Sequence, residues 1–405
     1  MNEQTTATLG AARIDLGDLG PRLFRGGLVV GFAALAAAVA LGWRDGDQLR
    51  HFSFSWLVSF AFFLSISLGA LVFLPIQYVT RSSWSVVVRR LAEVIAMALP
   101  FLAILALPVL LNLGRVYDWA SPQPRLLTPD LAAHKAPFLD PTFFVVRWVF
   151  YFAVWTWLAL FYWRTSRRQD RTRDAALTRR LVNRSGAAIL IFALTCSLAG
   201  MDLLMTLDPA WFSTIFGVYY WAGGFVAFSA VLTLITVGLQ RSGRLVGIVT
   251  AEHFHDYGKL MFAFTFFWAY LAFSQYMLYW YSNIPEETAW YLVRQQSGWQ
   301  RLGLLLVVGA FLLPFAGLIS RFAKRSRPLL VFWAVWIIVL QWFNLYWVAM
   351  PVFSPDHVPL GPVDLSCFLA VGGFWIASVS RLAAADRLVP VGDPRLQDSL
   401  SFENA

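Results

Sequence analysis

Ten separate runs of about 20 predominantly apolar residues occur along this chain, and a helix of that length crosses a bilayer. They are Phe24–Trp43, Trp56–Tyr78, Val88–Leu111, Phe143–Trp163, Gly186–Leu207, Phe212–Leu239, Leu260–Tyr281, Leu302–Ile319, Pro328–Met350 and Pro362–Val379. Of the 405 residues 59% are hydrophobic and only 14% charged, against about 25% charged in an ordinary soluble domain. Such a chain has too little polar surface to fold in water. The expected fold is all-α and integral to a membrane, with a ten-helix transmembrane domain over residues 24–381, an N-terminal segment over 1–23 and a tail over 382–405.

The basic residues set an orientation. Most of the 32 lysines and arginines fall in alternate connections, among them the run "RTSRRQDRTRD" (Arg164–Asp174), and on the same side as both ends of the chain. By the positive-inside rule both termini are expected to be cytoplasmic. Between two spans, the Arg-rich run is expected to meet anionic lipid headgroups in the bilayer rather than nucleic acid. The first apolar run follows a mixed-charge segment with no small-residue cleavage site, so it reads as a retained helix rather than a signal peptide. The longest external connection, Gly114–Asp140, is proline-rich and reads as an ordered cap or docking loop.

An ionisable group inside the bilayer is costly and normally faces a partner or a cavity. Glu93 lies one turn from Arg89 and close to Arg90, which suits an ion pair on one helix face or a proton carrier. Asp202, in the outer half of its span, shares a face with Thr206 and Thr195 and suits either a helix-joining hydrogen bond or a proton relay. Asp208 precedes Pro209, the order of an N-cap aspartate with proline at the first helical position, so a structural cap at a tight external turn is expected.

At the opposite surface "EHFHDYGK" supplies His253, His255 and Asp256, groups that suit proton uptake or a charged collar. On a helix two imidazoles two residues apart point about 200° away from each other, so no metal site is expected. The next span carries Tyr270, Ser274, Gln275 and Tyr279, able to hold water, a quinone carbonyl or neighbouring helices. None of the five histidines lies deep in a span, which argues against an in-membrane haem. Cys196 and Cys367 form no CxxC or CxxCH pattern, so no iron-sulfur or covalent haem attachment is expected.

The strings "LDPAWFSTIFGVYYWAGG" (Leu207–Gly224) and "HFHDYGKLMFAFTFFWAYLAFSQYMLYWYSNIPEE" (His253–Glu287) resemble the second NrfD-like membrane subunit of alternative complex III. That ActF-like group belongs with the polysulfide-reductase-type membrane subunits. "QWFNLYWVAMP" (Gln341–Pro351) follows the pattern more loosely. The resemblance implies a respiratory quinol:cytochrome c oxidoreductase of the bacterial inner membrane. It implies partners: a multihaem cytochrome c subunit, an iron-sulfur subunit, a paralogous NrfD-like subunit and further small membrane subunits. Haem and iron-sulfur clusters would sit in those partners, leaving this chain to bind quinone or quinol, move protons, or both. The family often places an aspartate near the position of Asn344; the neutral amide here leaves a proton path through that spot in doubt.

On this reading protons enter near His253, His255 and Asp256 and leave near Asp202. Two other classes stay open, a secondary transporter and a purely structural anchor, with Pro100, Pro108 and Pro314 as candidate helix breaks for the former.

Overall fold

The computed structural model describes residues 10, 12–44, 49–124 and 129–404. Ten helices are long and apolar enough to cross a membrane: Leu19–Arg44, Arg50–Val79, Val86–Leu111, Pro141–Thr172, Ala175–Leu207, Phe216–Arg241, Ala251–Ser282, Trp299–Ile319, Arg327–Phe353 and Pro362–Ala383, here spans one to ten. Each overlaps one of the ten apolar runs. Among the described residues there is no strand, only an isolated bridge between Arg13 and Arg244.

Span two is the axis of the molecule. It is apolar on every face, and a helix of that kind is stable only when enclosed; its hydrophobic window is buried throughout. Spans three, five, six, nine and ten pack around it. Its serines are satisfied locally or across to neighbours: Ser59 and Ser65 donate to carbonyls of the preceding turn, and Ser55 donates to Asp364 at 2.6 Å. Span one is peripheral and leans chiefly on span ten. That contact requires glycine, because a Cβ on Gly373 would lie 2.6 Å from the Gly31 nitrogen and 2.8 Å from the Gly27 oxygen, both backbone. Gly373→Val is therefore expected to cost about 1–3 kcal/mol by overpacking and to lower the thermal midpoint in detergent, followed by tryptophan fluorescence. Gly26→Ala, with open space around it, is the control expected to change nothing.

Two spans are broken. Span three runs as Val86–Ala96, Leu99–Leu105 and Leu107–Leu111, with Pro100 and Pro108 each near the start of a new piece. Proline removes a ladder N–H and frees carbonyls that must find partners within the protein; the Trp56 indole donates to the Leu105 carbonyl at 2.9 Å. In span eight a π-helical stretch, Leu306–Leu312, precedes Pro314, and Trp336 donates to the Gly309 carbonyl at 2.7 Å.

The Arg-rich run is not a loop. Span four continues helically to Thr172 and span five starts at Ala175, the turn consisting of Arg173 in the left-handed region and Asp174, whose carboxylate accepts from the Ala176 nitrogen. Asp and short polar side chains cap helices this way, so two residues suffice to reverse the chain outside the apolar part of the helices.

Both terminal segments lie on the face where spans four and five meet. Ile14 accepts from the Leu388 nitrogen, Arg244 donates to the Leu16 carbonyl, and Asp393 of the tail pairs with Arg89 at 2.7 Å. Ser399 donates to the Trp84 carbonyl, and Asn404 bonds Glu252. On the opposite face the connection between spans three and four closes over the end of span five: Tyr117 and Trp119 donate to the carbonyls of Leu203 and Thr206 at 3.0 and 3.1 Å.

Candidate functional site, a lipid-facing cavity

A cavity of about 640 Å³ opens between spans seven and eight, a size typical of small-molecule sites. Its rim is apolar and exposed on the membrane-facing surface: Phe266, Tyr270 and Phe273 from span seven, Val307 and Leu312 from the π-helical stretch. Widened π turns often accompany functional sites, and here the stretch forms one wall. The inner end is buried and polar, built from Tyr219 of span six, Gln275 of span seven, Asn344 and Trp347 of span nine, and Tyr291 and Arg294 of the short helix Pro285–Arg294.

These polar groups form two hydrogen-bonded sets. Ser213 donates to Gln275 Oε1 at 2.9 Å, and Gln275 Nε2 donates to the Tyr291 hydroxyl at 2.9 Å. The Tyr219 hydroxyl donates to Asn344 Oδ1, whose amide nitrogen reaches Gln341 Oε1 at 3.4 Å. Behind Asn344 and Gln341 the packing leaves no room for a water molecule. The cavity thus ends at these groups instead of continuing through the protein.

Arg294 is 3% exposed. It donates to the carbonyls of Trp290, Trp347 and Val348 at 2.7, 3.2 and 2.5 Å, with its guanidinium 3.3 Å from the Trp290 ring centroid. That ring stacks on Trp211 at 4.4 Å. No acidic side chain lies within ion-pair distance of Arg294 among the described residues. Burial pushes its pKa down, to about 9, while Asp208 acts the other way from longer range. The guanidinium remains charged at neutral pH and is held by carbonyl dipoles and the face of the Trp290 ring.

Of the span-seven residues singled out from sequence, Gln275 and Tyr270 line this cavity, one at its polar end and one at its rim. Tyr279 instead donates to the Phe212 carbonyl and packs against Trp211, fastening the loop between spans five and six. Ser274 is half-buried and is not part of the lining.

The remaining candidates stand elsewhere. Asp202 is fully buried and forms a two-pronged pair with Arg147, Nε to Oδ2 at 2.8 Å and Nη2 to Oδ1 at 3.0 Å, while the Tyr151 hydroxyl donates to Oδ2 at 2.8 Å. Spans four and five are joined there. Thr206 donates to the Asp202 carbonyl, and Thr195 accepts from the Trp155 indole. Behind Tyr151 the space enclosed by Leu64, Trp155, Leu203 and Tyr220 admits no water.

Asp208 caps a turn and not a helix. Its Oδ1 accepts from the Ala210 nitrogen at 3.1 Å, and the next helix begins only at Phe216. The intervening residues are drawn inward by Trp211 and by the Ser213 hydroxyl, so Pro209 is not at a helical first position.

Glu93 is buried and 3.4 Å from Arg90 Nε, not paired with Arg89 as the i, i−4 spacing suggests. Arg90 also bonds Asp170 at 2.5 Å, and Arg89 is drawn away by Asp393. His253 completes an N-terminal cap, accepting from the Thr250 nitrogen at Nδ1, which leaves Nε2–H to donate to the Ser399 carbonyl at 3.1 Å. Asp256 pairs with Lys259, and His255 Nδ1 has no partner among the described residues. These three lie at the start of span seven, on the opposite face from Asp202.

Three functional-looking groups escaped the sequence reading. Neither Arg147 nor Arg294 was singled out. Asp364, wholly buried at the start of span ten, accepts from Ser55 and the Gly361 nitrogen and lies 3.3 Å from His51. A run of aromatics flanking one arginine, "WYLVR", was the available signal for Arg294, since a cation among tryptophans stacks on their faces.

Fold and site together define a multi-pass α-helical membrane protein with a ligand-sized cavity facing the lipid. The chain matches no family model and no curated protein.

Proposed function

We propose that the chain is a quinone-binding membrane subunit of a quinol:electron-acceptor oxidoreductase, of the NrfD-like type that its sequence resembles, in a bacterial inner membrane. The observation that carries this reading is the cavity between spans seven and eight. Its apolar rim admits a molecule from the bilayer, and its blind polar end offers hydrogen bonds to one end of a flat ring. The unpartnered Trp347 indole nitrogen fits such a ligand: it is buried without an acceptor beside Gly303 in the cavity wall, and a buried donor left unsatisfied is costly.

Electron carriers belong to partner subunits on this reading: a multihaem cytochrome c, an iron-sulfur protein and a paralogous membrane subunit. A proton route from His253, His255 and Asp256 to Asp202 has less support. His253 is engaged at both nitrogens, Asp202 is held by Arg147, and the packing beside Tyr151 is closed. Quinone binding is therefore the favoured contribution.

Mild-detergent purification from native membranes, followed by solvent extraction and haem staining, tests the proposal. About one quinone per chain and a co-eluting c-type cytochrome are expected. A chain that elutes without either would overturn it.

A further inference from the structure

Resting on the quinone reading, we propose that this cavity holds the oxidised quinone in preference to the quinol, one carbonyl oxygen anchored on Arg294, and so retains its ligand instead of turning it over. The balance of donors and acceptors at the polar end is the ground for this. A guanidinium carries five N–H groups, and Arg294 uses three, on the carbonyls of Trp290, Trp347 and Val348. The Trp347 indole N–H has no partner among the described residues. The Tyr291 hydroxyl accepts from Gln275, which leaves its own hydrogen to donate.

Acceptors at this end, by contrast, are partly used: Gln275 Oε1 takes the Ser213 hydroxyl and Asn344 Oδ1 takes the Tyr219 hydroxyl, which leaves each one lone pair. An end rich in free donors suits a carbonyl oxygen, which only accepts. A quinol hydroxyl must also donate, and at this end it would have to share an acceptor that already takes a hydrogen bond.

The chemistry of turnover leads the same way. Oxidising a quinol to a quinone releases two protons with two electrons, and the protons need a base. No carboxylate, imidazole or thiol is among the residues lining the cavity. Arg294 is already protonated, and burial raises the Tyr291 phenol's pKa so that it keeps its proton.

Photolabelling of the full chain in its purified assembly, with an azido-quinone and mapping of the labelled peptides, tests the proposal. Competition by an oxidised short-chain quinone is expected at a concentration at least tenfold below that of the corresponding quinol. Arg294→Lys keeps the charge but loses the planar fork and is expected to weaken labelling about tenfold. Gly303→Leu fills the cavity from span eight, beside Trp347 and with no change to Arg294 itself. An added Cβ there meets Trp347 Nε1 at an ordinary 3.4 Å, so a folded protein with labelling abolished is expected. Equal competition by quinone and quinol would overturn the redox preference and leave the quinone site standing. Labelling displaced only by anionic phospholipid, or unaffected by Gly303→Leu, would overturn the quinone reading of this cavity as well.

Discussion

Asp393→Ala is expected to destabilise the protein by about 3–5 kcal/mol, the usual consequence of stranding a buried charge. Arg89 is wholly buried one turn into span three, and Asp393 reaches it from the tail at 2.7 Å with its side chain 1% exposed. The Tyr78 ring, 4.3 Å from the guanidinium, covers another side. Two further nitrogens of Arg89, Nε and Nη2, have no hydrogen-bond partner among the described residues, so no second carboxylate is bonded to it in place of Asp393. Thermal unfolding in detergent measures the loss. The double variant Arg89→Leu, Asp393→Leu removes both charges and is expected to recover most of the stability, because apolar replacement of a buried pair is often near neutral. A single variant as stable as the parent would mean that Arg89 reaches water by another path.

The second large effect is expected at the end of spans four and five remote from the tail. Asp202→Asn leaves the Arg147 guanidinium, 10% exposed, facing an amide in place of a carboxylate, for a loss of about 3 kcal/mol. Arg147→Gln is expected to cost as much, since it strands Asp202 with Tyr151 alone. Protons released per electron, measured on the assembly in proteoliposomes, are expected to stay the same in Asp202→Asn even as the thermal midpoint falls. Altered proton stoichiometry in a variant of unchanged stability would assign Asp202 to proton transfer instead.

The helices were legible in the sequence because a bilayer demands long apolar segments, a one-dimensional signal. Boundaries strayed most where helices continue past the membrane. Span seven begins at Ala251, nine residues before its apolar run, because Thr250 and His253 cap it in polar surroundings. Asp202 was legible by depth, but its partner was not: the pairing of Arg147 with Asp202 spans 55 positions. Glu93 shows the same limit, since local spacing offered Arg89 while a distant aspartate claimed it. Gln275 was found as a polar residue on a membrane helix, whereas the cavity it closes is made jointly by spans six to nine and the short helix Pro285–Arg294. No single segment carries that information.

The pairing of Arg89 with Asp393 also bears on the order in which the protein is made. The two residues are 304 positions apart, and at about 5–20 residues per second their syntheses are separated by roughly 15–60 s. For that interval span three has its arginine without the native counter-ion. The nascent helix must keep Arg89 at the water boundary, or borrow a lipid phosphate, until the tail arrives. Span three is therefore expected to settle only after the tail is made, and a tail shortened before Asp393 is expected to leave it inserted but unsettled, exposed to quality-control proteolysis.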